Sequence, residues 1–444
     1  KRKCIEGMWQ SGKWCPGPLY YYVNFHKIEV EAKGTKAQSL SLPWFRDIDW
    51  EFFLLYEECR GFSGFADDLE HTCDRRYGPE KELSIDLERI TREEADSKIY
   101  IDARDYLRKV HNKNLGKPLY NNEAKHFISI QSRGGGKSYG SSGMAAHNFL
   151  FDGATDYDEY LLRKSGKIID QGAFASDTII GAIDAKYTND LAKKTRIAME
   201  ALPGSTKYLD VEYTSPLFTG YDGSLMPSKQ LINRNGSKLR NRTFRDNPLA
   251  ANGTRPNLAI IDEVGFMSNL QETWGALEAT QASKSKTLVI WGLGTGGLVS
   301  GKASLFAEQV FRNPSDYNCI EFEDEFENRG KIGYFLPYTK TINEFKKTDN
   351  YITDLALVSK YVQMKREKAK KASNPSVYQT EVINGPIKPS EAFLVLDSGE
   401  FPTFELKERL AVIEGNRERY LDSTLKGNLV FNQMGEVEFK SIQN

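Results

Sequence analysis

Several features that would each mark a function class are scarce in this chain. Cysteine is one: five in 444 residues (Cys4, Cys15, Cys59, Cys73 and Cys319), in no even or closely spaced framework. That excludes a disulfide scaffold and fits a reducing, intracellular setting. Cys4, Cys15, Cys59, His71 and Cys73 carry zinc-binding atoms but form no compact C-x2-C pattern, so buried or surface thiols are the expected reading. His26, His111, His126 and His147 are scattered, and none stands beside a partner that suggests catalysis. No apolar run approaches the roughly 18 residues of a membrane span, and no signal peptide is evident, so no membrane insertion is expected. Neither charge is in excess: 60 basic residues face 61 acidic ones, for a net charge of −1. Global attraction to nucleic acid is therefore not predicted, and only local basic clusters remain to supply it. The chain also shows no internal repeat and no low-complexity tract.

Aromatic and apolar residues are plentiful. Hydrophobic residues make up 39%, with 22 Tyr and 24 Phe, which is enough for a large core and, at this length, two or three domains. The chain begins with Lys rather than Met, so residues are expected to precede it.

Residues 1–118 read as an N-terminal, aromatic-rich, mostly helical extension or subdomain. Tyr20–Phe25 looks β-like, Trp50–Glu58 reads as an amphipathic helix, and "ELSIDLERITREEADSKIYIDARDYLRKVHNK" continues with helical periodicity. From 119 to 402 strands alternate with helices. "HFISIQ", "SDTIIGAI", "NLAIIDE" and "KTLVIWGLG" are strands; "KSYGSSGMAAHNFLF" and "YTNDLAKKTRIAMEAL" are helices. "QLINRNGSKLRNRTF" predicts a hairpin turning at Asn235-Gly236. This grammar predicts an α/β fold with a mostly parallel sheet flanked by helices. Further on, "LVSKYVQMKREKAKKASNPSVYQTEV" reads as a charged helical stretch with "MKREKAKK" on a solvated face, and "NGPIKPSEAFLVLDSGEFP" as loop-like. Residues 403–444 are too few for a usual domain of about 50 residues or more, and read as the start of a linker or of a further domain.

The stretch "QSRGGGKS" (131–138) lies between a predicted strand and a predicted helix. A phosphate-binding loop needs small residues whose backbone N–H groups converge on anionic oxygens. It also needs a Lys for the β- and γ-phosphates, a hydroxyl for Mg²⁺ and a helix N-terminus behind it. Ser132, Arg133, Gly134, Gly135, Gly136, Lys137 and Ser138 supply these, although Gln131 stands where the standard motif has Gly. The strand "NLAIIDE" ends in Asp262-Glu263, a pair placed to serve a metal (Asp262) and to polarise an attacking water (Glu263). A third strand ends in Gly294-Thr295-Gly296, where a hydroxyl can sense the γ-phosphate. Tyr120 and Asn122, just before the loop strand, are candidate adenine contacts.

These motifs, in this order, resemble the large terminase subunit of tailed bacteriophages. In that family a Ser-Arg pair precedes the Gly-Lys-Ser end of the loop, as in "SRGGGKS". "NGSKLRNRTFRDNPLAANGTRPNLAIIDE", "GLGTGG" and "SVYQTEVINGPIKPSEAFL" match its run into the acidic strand, its coupling motif and its closing segment. The resemblance covers roughly 119–402 and implies a P-loop NTPase fold of the additional-strand, RecA-like type, with ATP and Mg²⁺ at the site. It implies that Lys137 and Ser138 bind phosphate and metal, Asp262 serves the metal, Glu263 activates water, and Thr295, between Gly294 and Gly296, couples nucleotide state to movement. Arg133 matches the arginine that reaches the γ-phosphate in cis, while Arg255 or Arg245 offers itself to a neighbouring subunit's nucleotide. The implied function is ATP-driven movement of double-stranded viral DNA into a procapsid in the host cytoplasm, by a ring of copies docked on a portal protein and working with a small terminase subunit. Arg234, Lys238, Arg240, Arg242 and Arg245 are then candidate DNA contacts. The family also carries a C-terminal metal-dependent nuclease, for which 403–444 is too short. Two other readings stay open: a helicase or remodelling ATPase, and a nucleotide-gated structural protein of the virion.

Overall fold

The computed structural model describes residues 1–10, 13–31, 38–43, 46–62, 123–157, 160–161, 175–202, 211–212, 218–219, 225–226, 230–233, 236–281, 287–296, 303–347, 353–372, 374–393, 403–415, 427–431 and 437–441. The helical stretch expected after residue 81, together with Tyr120 and Asn122, lies outside them.

Eight strands form the central sheet: β1 (Phe127–Gln131), β2 (Asp177–Ala182), β3 (Val211–Glu212), β4 (Gln230–Asn233), β5 (Lys238–Thr243), β6 (Leu258–Asp262), β7 (Val289–Gly294) and β8 (Tyr334–Leu336). Their order is β8-β1-β7-β6-β2-β5-β4-β3. The first six run parallel, and β4 and β3 add an antiparallel margin. β1 and β6 are separated by one strand, β7, so the glycine-rich loop after β1 and the Asp262-Glu263 pair flank a third strand end. This is an α/β arrangement, a mostly parallel sheet flanked by helices. The two strands of the predicted hairpin pair antiparallel, Gln230 with Arg240 and Ile232 with Lys238, while Asn235 of the predicted turn lies outside the described residues; the second strand is not free. It also pairs with β2 along its whole length, from Lys238–Asp177 to Thr243–Ala182.

The central strands are continuous apolar runs because both faces of the sheet are covered. One face carries Phe127, Leu258, Ile260, Trp291 and Leu293 toward α3 (Lys137–Leu150) and α4 (Ala185–Glu200). The alternate residues Ile128, Ile130, Ile179, Ile261 and Ile290 face α5 (Leu270–Ala279) and α6 (Ala303–Arg312).

The N-terminal residues form a further layer in the first of these cores, through α1 (Gly17–Phe25) and α2 (Asp47–Cys59). The β-like reading of Tyr20–Phe25 is thus corrected to helix. Tyrosine favours strands only where it packs as a strand residue, and here Tyr21 and Tyr22 are buried in the core that α3 shares. Pro18 in the first turn suits a helix start. The small residues of "SYGSSG" make α3 flat enough to receive these rings: a Cβ on Gly143 would stand 2.6 Å from a Tyr22 ring carbon. Phe52 then stands edge-on to Trp291 at 5.0 Å, and Trp291 stacks on Phe127 at 3.8 Å.

Two histidines anchor this layer. His147 donates through Nε2 to the Cys4 carbonyl at 2.5 Å. His26 Nε2 meets Ser142 Oγ at 2.9 Å, and because that hydroxyl donates to the Tyr139 carbonyl, the ring is the donor. Both Nδ1 atoms are buried without a partner, so a second proton on either ring has nowhere to donate. Burial pushes both imidazoles down to about 3, with Arg60 adding to the effect at His147. With folded values below the ordinary one, the unfolded chain takes up protons first as pH falls. Stability is full above about pH 6.5 and declines down to about pH 3. The pair is expected to cost about 4 kcal/mol between pH 7.5 and 5, as about 2 kcal/mol for each ring. Urea unfolding at the two pH values measures it, and His26→Gln with His147→Gln removes most of that slope.

Beyond the sheet, α7 (Leu355–Lys370), α8 (Pro375–Asn384) and the short α9 (Pro389–Ala392) close the domain, and α10 (Thr403–Gly415) follows. The charged helical stretch is made of two helices, α7 and α8, and the segment read as loop includes α9. In "MKREKAKK", Arg366 is not solvated: it grips both Glu391 oxygens at 2.8 Å and the Gly385 carbonyl at 2.9 Å.

Candidate nucleotide site

The site lies at the carboxyl ends of β1, β6 and β7, where parallel strands hand over to helices. Position 131 needs no glycine because it is still strand: Gln131 pairs with Leu336 and is buried. Left-handed backbone is required only later, at Gly134 (φ 85°) and Gly136 (φ 77°). Gly136 then caps α3, and Lys137 and Ser138 open it. Ser132 is buried, its Oγ donating to Thr341 Oγ1 at 3.1 Å.

At the tip of β6, Glu263 adopts φ 56°, a left-handed conformation that costs a non-glycine residue about 1 kcal/mol or more. Its backbone N–H donates to Asp262 Oδ1 at 3.0 Å, which fixes the turn. The turn carries the Glu263 carboxylate to Lys137 Nζ at 2.8 Å, while Thr295 Oγ1 approaches its other oxygen at 3.5 Å. Three residues from three strand ends thus meet on one carboxylate. Asp262 is 6% exposed, and burial pushes its carboxyl up to about 6 against the pull of Lys137 and, more weakly, of Lys194. Among the described residues, no separate cluster of three or more metal-ligating side chains is present.

These groups border a cavity of 420 Å³ lined by Arg133, the glycines, Lys137, Ser138, Tyr139, Tyr187, Lys194, Glu263, Phe266 and Thr295. Arg133 is exposed at its mouth. Sequence reading did not pick out Tyr139, Tyr187, Lys194 or Phe266. Lys194 sits on α4, paired with Asp190 at 2.5 Å and 5.1 Å from the centre of the Tyr139 ring, a position only the packing of α4 on α3 reveals.

The other sequence candidates lie elsewhere. Arg255 is exposed and precedes β6, so it is at the opposite end of the strand from Asp262, roughly 20 Å away at the usual rise. Arg245 is 58% exposed at the carboxyl edge of the sheet and pairs with Asp184 at 2.5 Å. Arg240 and Arg242 share one face of β5 but are engaged within the fold. Arg240 pairs with Asp177 at 2.8 Å, and Arg242 donates to the Ala250 and Asn241 carbonyls at 3.2 and 2.9 Å. Lys238, half-buried, opens the same strand, and Arg234 lies outside the described residues.

The third strand end is tied to the closing segment. A Cβ on Gly296 would stand 1.6 Å from the Ala392 carbonyl oxygen of α9. Gly296→Ala therefore has to push the loop off α9, with an expected loss of about 1–3 kcal/mol in urea unfolding.

No known protein family matches the sequence, and no curated protein matches it. In fold the chain is similar to the HK97 bacteriophage large terminase, with 11% identity and a TM-score of 0.32, over 66% of this chain and 50% of that one. It is also similar to the large terminase ATPase domain of Thermus phage P74-26, with 12% identity and a TM-score of 0.33, over 61% of this chain and 89% of that one. The chain thus spans half the length of the HK97 protein.

Proposed function

We propose that this chain is an ATP-hydrolysing motor of the large-terminase kind, which moves double-stranded DNA into a viral procapsid. The observation that carries the reading is the convergence of Lys137, Glu263 and Thr295 at three adjacent strand ends beside a glycine loop. The loop and Lys137 hold the β- and γ-phosphates. Glu263 orients the attacking water and takes its proton, and Thr295 reports through the same carboxylate whether the γ-phosphate is in place. A phosphate group competes with Glu263 for the Lys137 ammonium, so binding at the γ position frees the carboxylate for water.

The residues present fit Mg²⁺: Asp262 and Ser138 are hard oxygen donors, and a carboxylate pushed up to about 6 by burial gains from a cation nearby. When bound with the nucleotide, the ion neutralises phosphate charge. Arg133, at the cavity mouth, suits a γ-phosphate contact within the chain. Arg245 and Arg255, both exposed and neither lining the chain's own cavity, suit a neighbouring subunit's nucleotide in a ring. Among the described DNA candidates Arg245 is the most exposed, while Arg240 and Arg242 are engaged within the fold. A portal protein and a small terminase subunit are the proposed partners, and the procapsid portal in the host cytoplasm the proposed place of action.

The test is ATP-dependent displacement of a third strand from duplex DNA. Displacement with ATP, and none with a non-hydrolysable analogue, supports a duplex motor. Unwinding of the duplex itself would favour the helicase reading. Binding of ATP without turnover, with or without DNA, would favour the gated structural protein.

A further inference from the structure

The phosphate loop is held from behind by a residue 89 positions upstream. Arg46 stands immediately before α2 and is buried. Its Nε and Nη2 donate to Asp49 Oδ2 and Oδ1 at 2.8 and 2.7 Å, and its backbone N–H reaches Asp49 Oδ2 at 3.2 Å, so the guanidinium is fixed by a two-pronged ion pair. The same Nη2 faces the Gly135 carbonyl oxygen at 3.4 Å. It is also the atom that a Cβ on Gly136 would meet at 2.3 Å, so the guanidinium lies directly against the loop. The base of the arrangement is braced in turn. Asp47 accepts from Lys346 and from the Thr353 backbone and hydroxyl at 3.2 and 3.1 Å, and the segment between Leu336 and Thr353 also brings Thr341 to Ser132 at the loop's other end.

In a planar trans peptide the carbonyl and the following N–H point in opposite directions. A donor that holds the Gly135 oxygen on the outer side therefore turns the Gly136 N–H inward, toward the cavity. An inward N–H is what a phosphate-binding loop consists of. We propose that Arg46 is a positioning residue for the nucleotide site, orienting the Gly135–Gly136 peptide so that its N–H receives a nucleotide phosphate. This rests on the nucleotide-binding reading of the cavity. It gives the N-terminal layer a part in the site beyond covering the sheet, and it makes Asp49, which aims the guanidinium, part of the same device.

The test is equilibrium binding of ATP and of ADP, each with Mg²⁺, to wild type, Arg46→Met and Asp49→Asn, with the number of binding-competent chains fitted alongside Kd. Arg46→Met is expected to weaken both nucleotides together by about ten-fold, the size of one charge-assisted hydrogen bond, with the site number unchanged. Asp49→Asn is expected to give a several-fold loss, and it keeps the test open should Arg46→Met fail to fold. Hydrogen exchange at the Gly136 amide accelerates in both variants while the β1 amides do not change. A purely structural role predicts fewer competent chains at unchanged Kd, and that result overturns the proposal. Wild type that binds neither nucleotide would overturn the reading of the cavity itself. Wild-type binding with variants of equal Kd would overturn the role of Arg46 alone.

Discussion

Glu263→Gln is expected to lower steady-state ATP turnover by about 10²–10⁴-fold, the usual contribution of a general base. ATP binding is retained or tightened. The amide keeps the shape of the side chain and its left-handed turn but loses the charge, so it neither takes a proton from water nor competes strongly for Lys137. These two consequences oppose each other in sign, which separates the prediction from simple misfolding: kcat falls while Kd for ATP does not rise. Single-turnover hydrolysis and equilibrium binding on the same preparation measure both. Turnover that survives in Glu263→Gln would remove Glu263 as the base and leave its contact with Lys137 as an ion pair only.

Lys137→Met is expected to weaken ATP and ADP by about 100-fold, corresponding to the loss of charge-assisted bonds from one ammonium to two phosphates. The side chains of Lys137 and Glu263 are 13% and 17% exposed, so the ion pair between them is largely shielded. Removing the cation leaves the Glu263 carboxylate without its nearest counter-charge, and a modest loss of stability accompanies the loss of binding. Binding titrations with a fluorescent nucleotide distinguish the two effects, because only a lost contact raises Kd at constant site number. Affinity that stays at the wild-type value would mean the glycine loop does not hold phosphate.

Much of the α/β domain was legible because its signals are local. The strands β1, β6 and β7 announce themselves as short unbroken apolar runs, and both faces of each are covered in the fold. Gly134 and Gly136 sit between a strand and a helix, and the Lys-Ser pair opens that helix, as their order in the sequence predicts. Even Gln131, the departure from the standard loop, has a local cause: it is the last residue of β1 and pairs with β8.

What stayed hidden depends on contacts between distant parts of the chain. Tyr20–Phe25 carries a strand-like composition, and only its packing beside α3 makes it helix. The approach of Arg46 to Gly135 spans 89 residues and that of Thr341 to Ser132 spans 209, and no periodicity records either. Lys194 reads as one of several charges on an amphipathic helix until α4 is laid beside α3. The cluster from Lys238 to Arg245 reads as a basic hairpin, yet β5 is the sixth parallel strand of the sheet and its arginines at 240 and 242 are engaged inside it. A hairpin signal does not reveal what its second strand pairs with on the other side.

The most direct measurement is steady-state ATP hydrolysis by the wild-type chain, with Mg²⁺, as a function of added double-stranded DNA. Turnover that rises with duplex DNA, and is absent at every DNA concentration in Glu263→Gln, is the result predicted for a DNA motor built on this site. Tight ATP binding with no turnover at any concentration of duplex would contradict it.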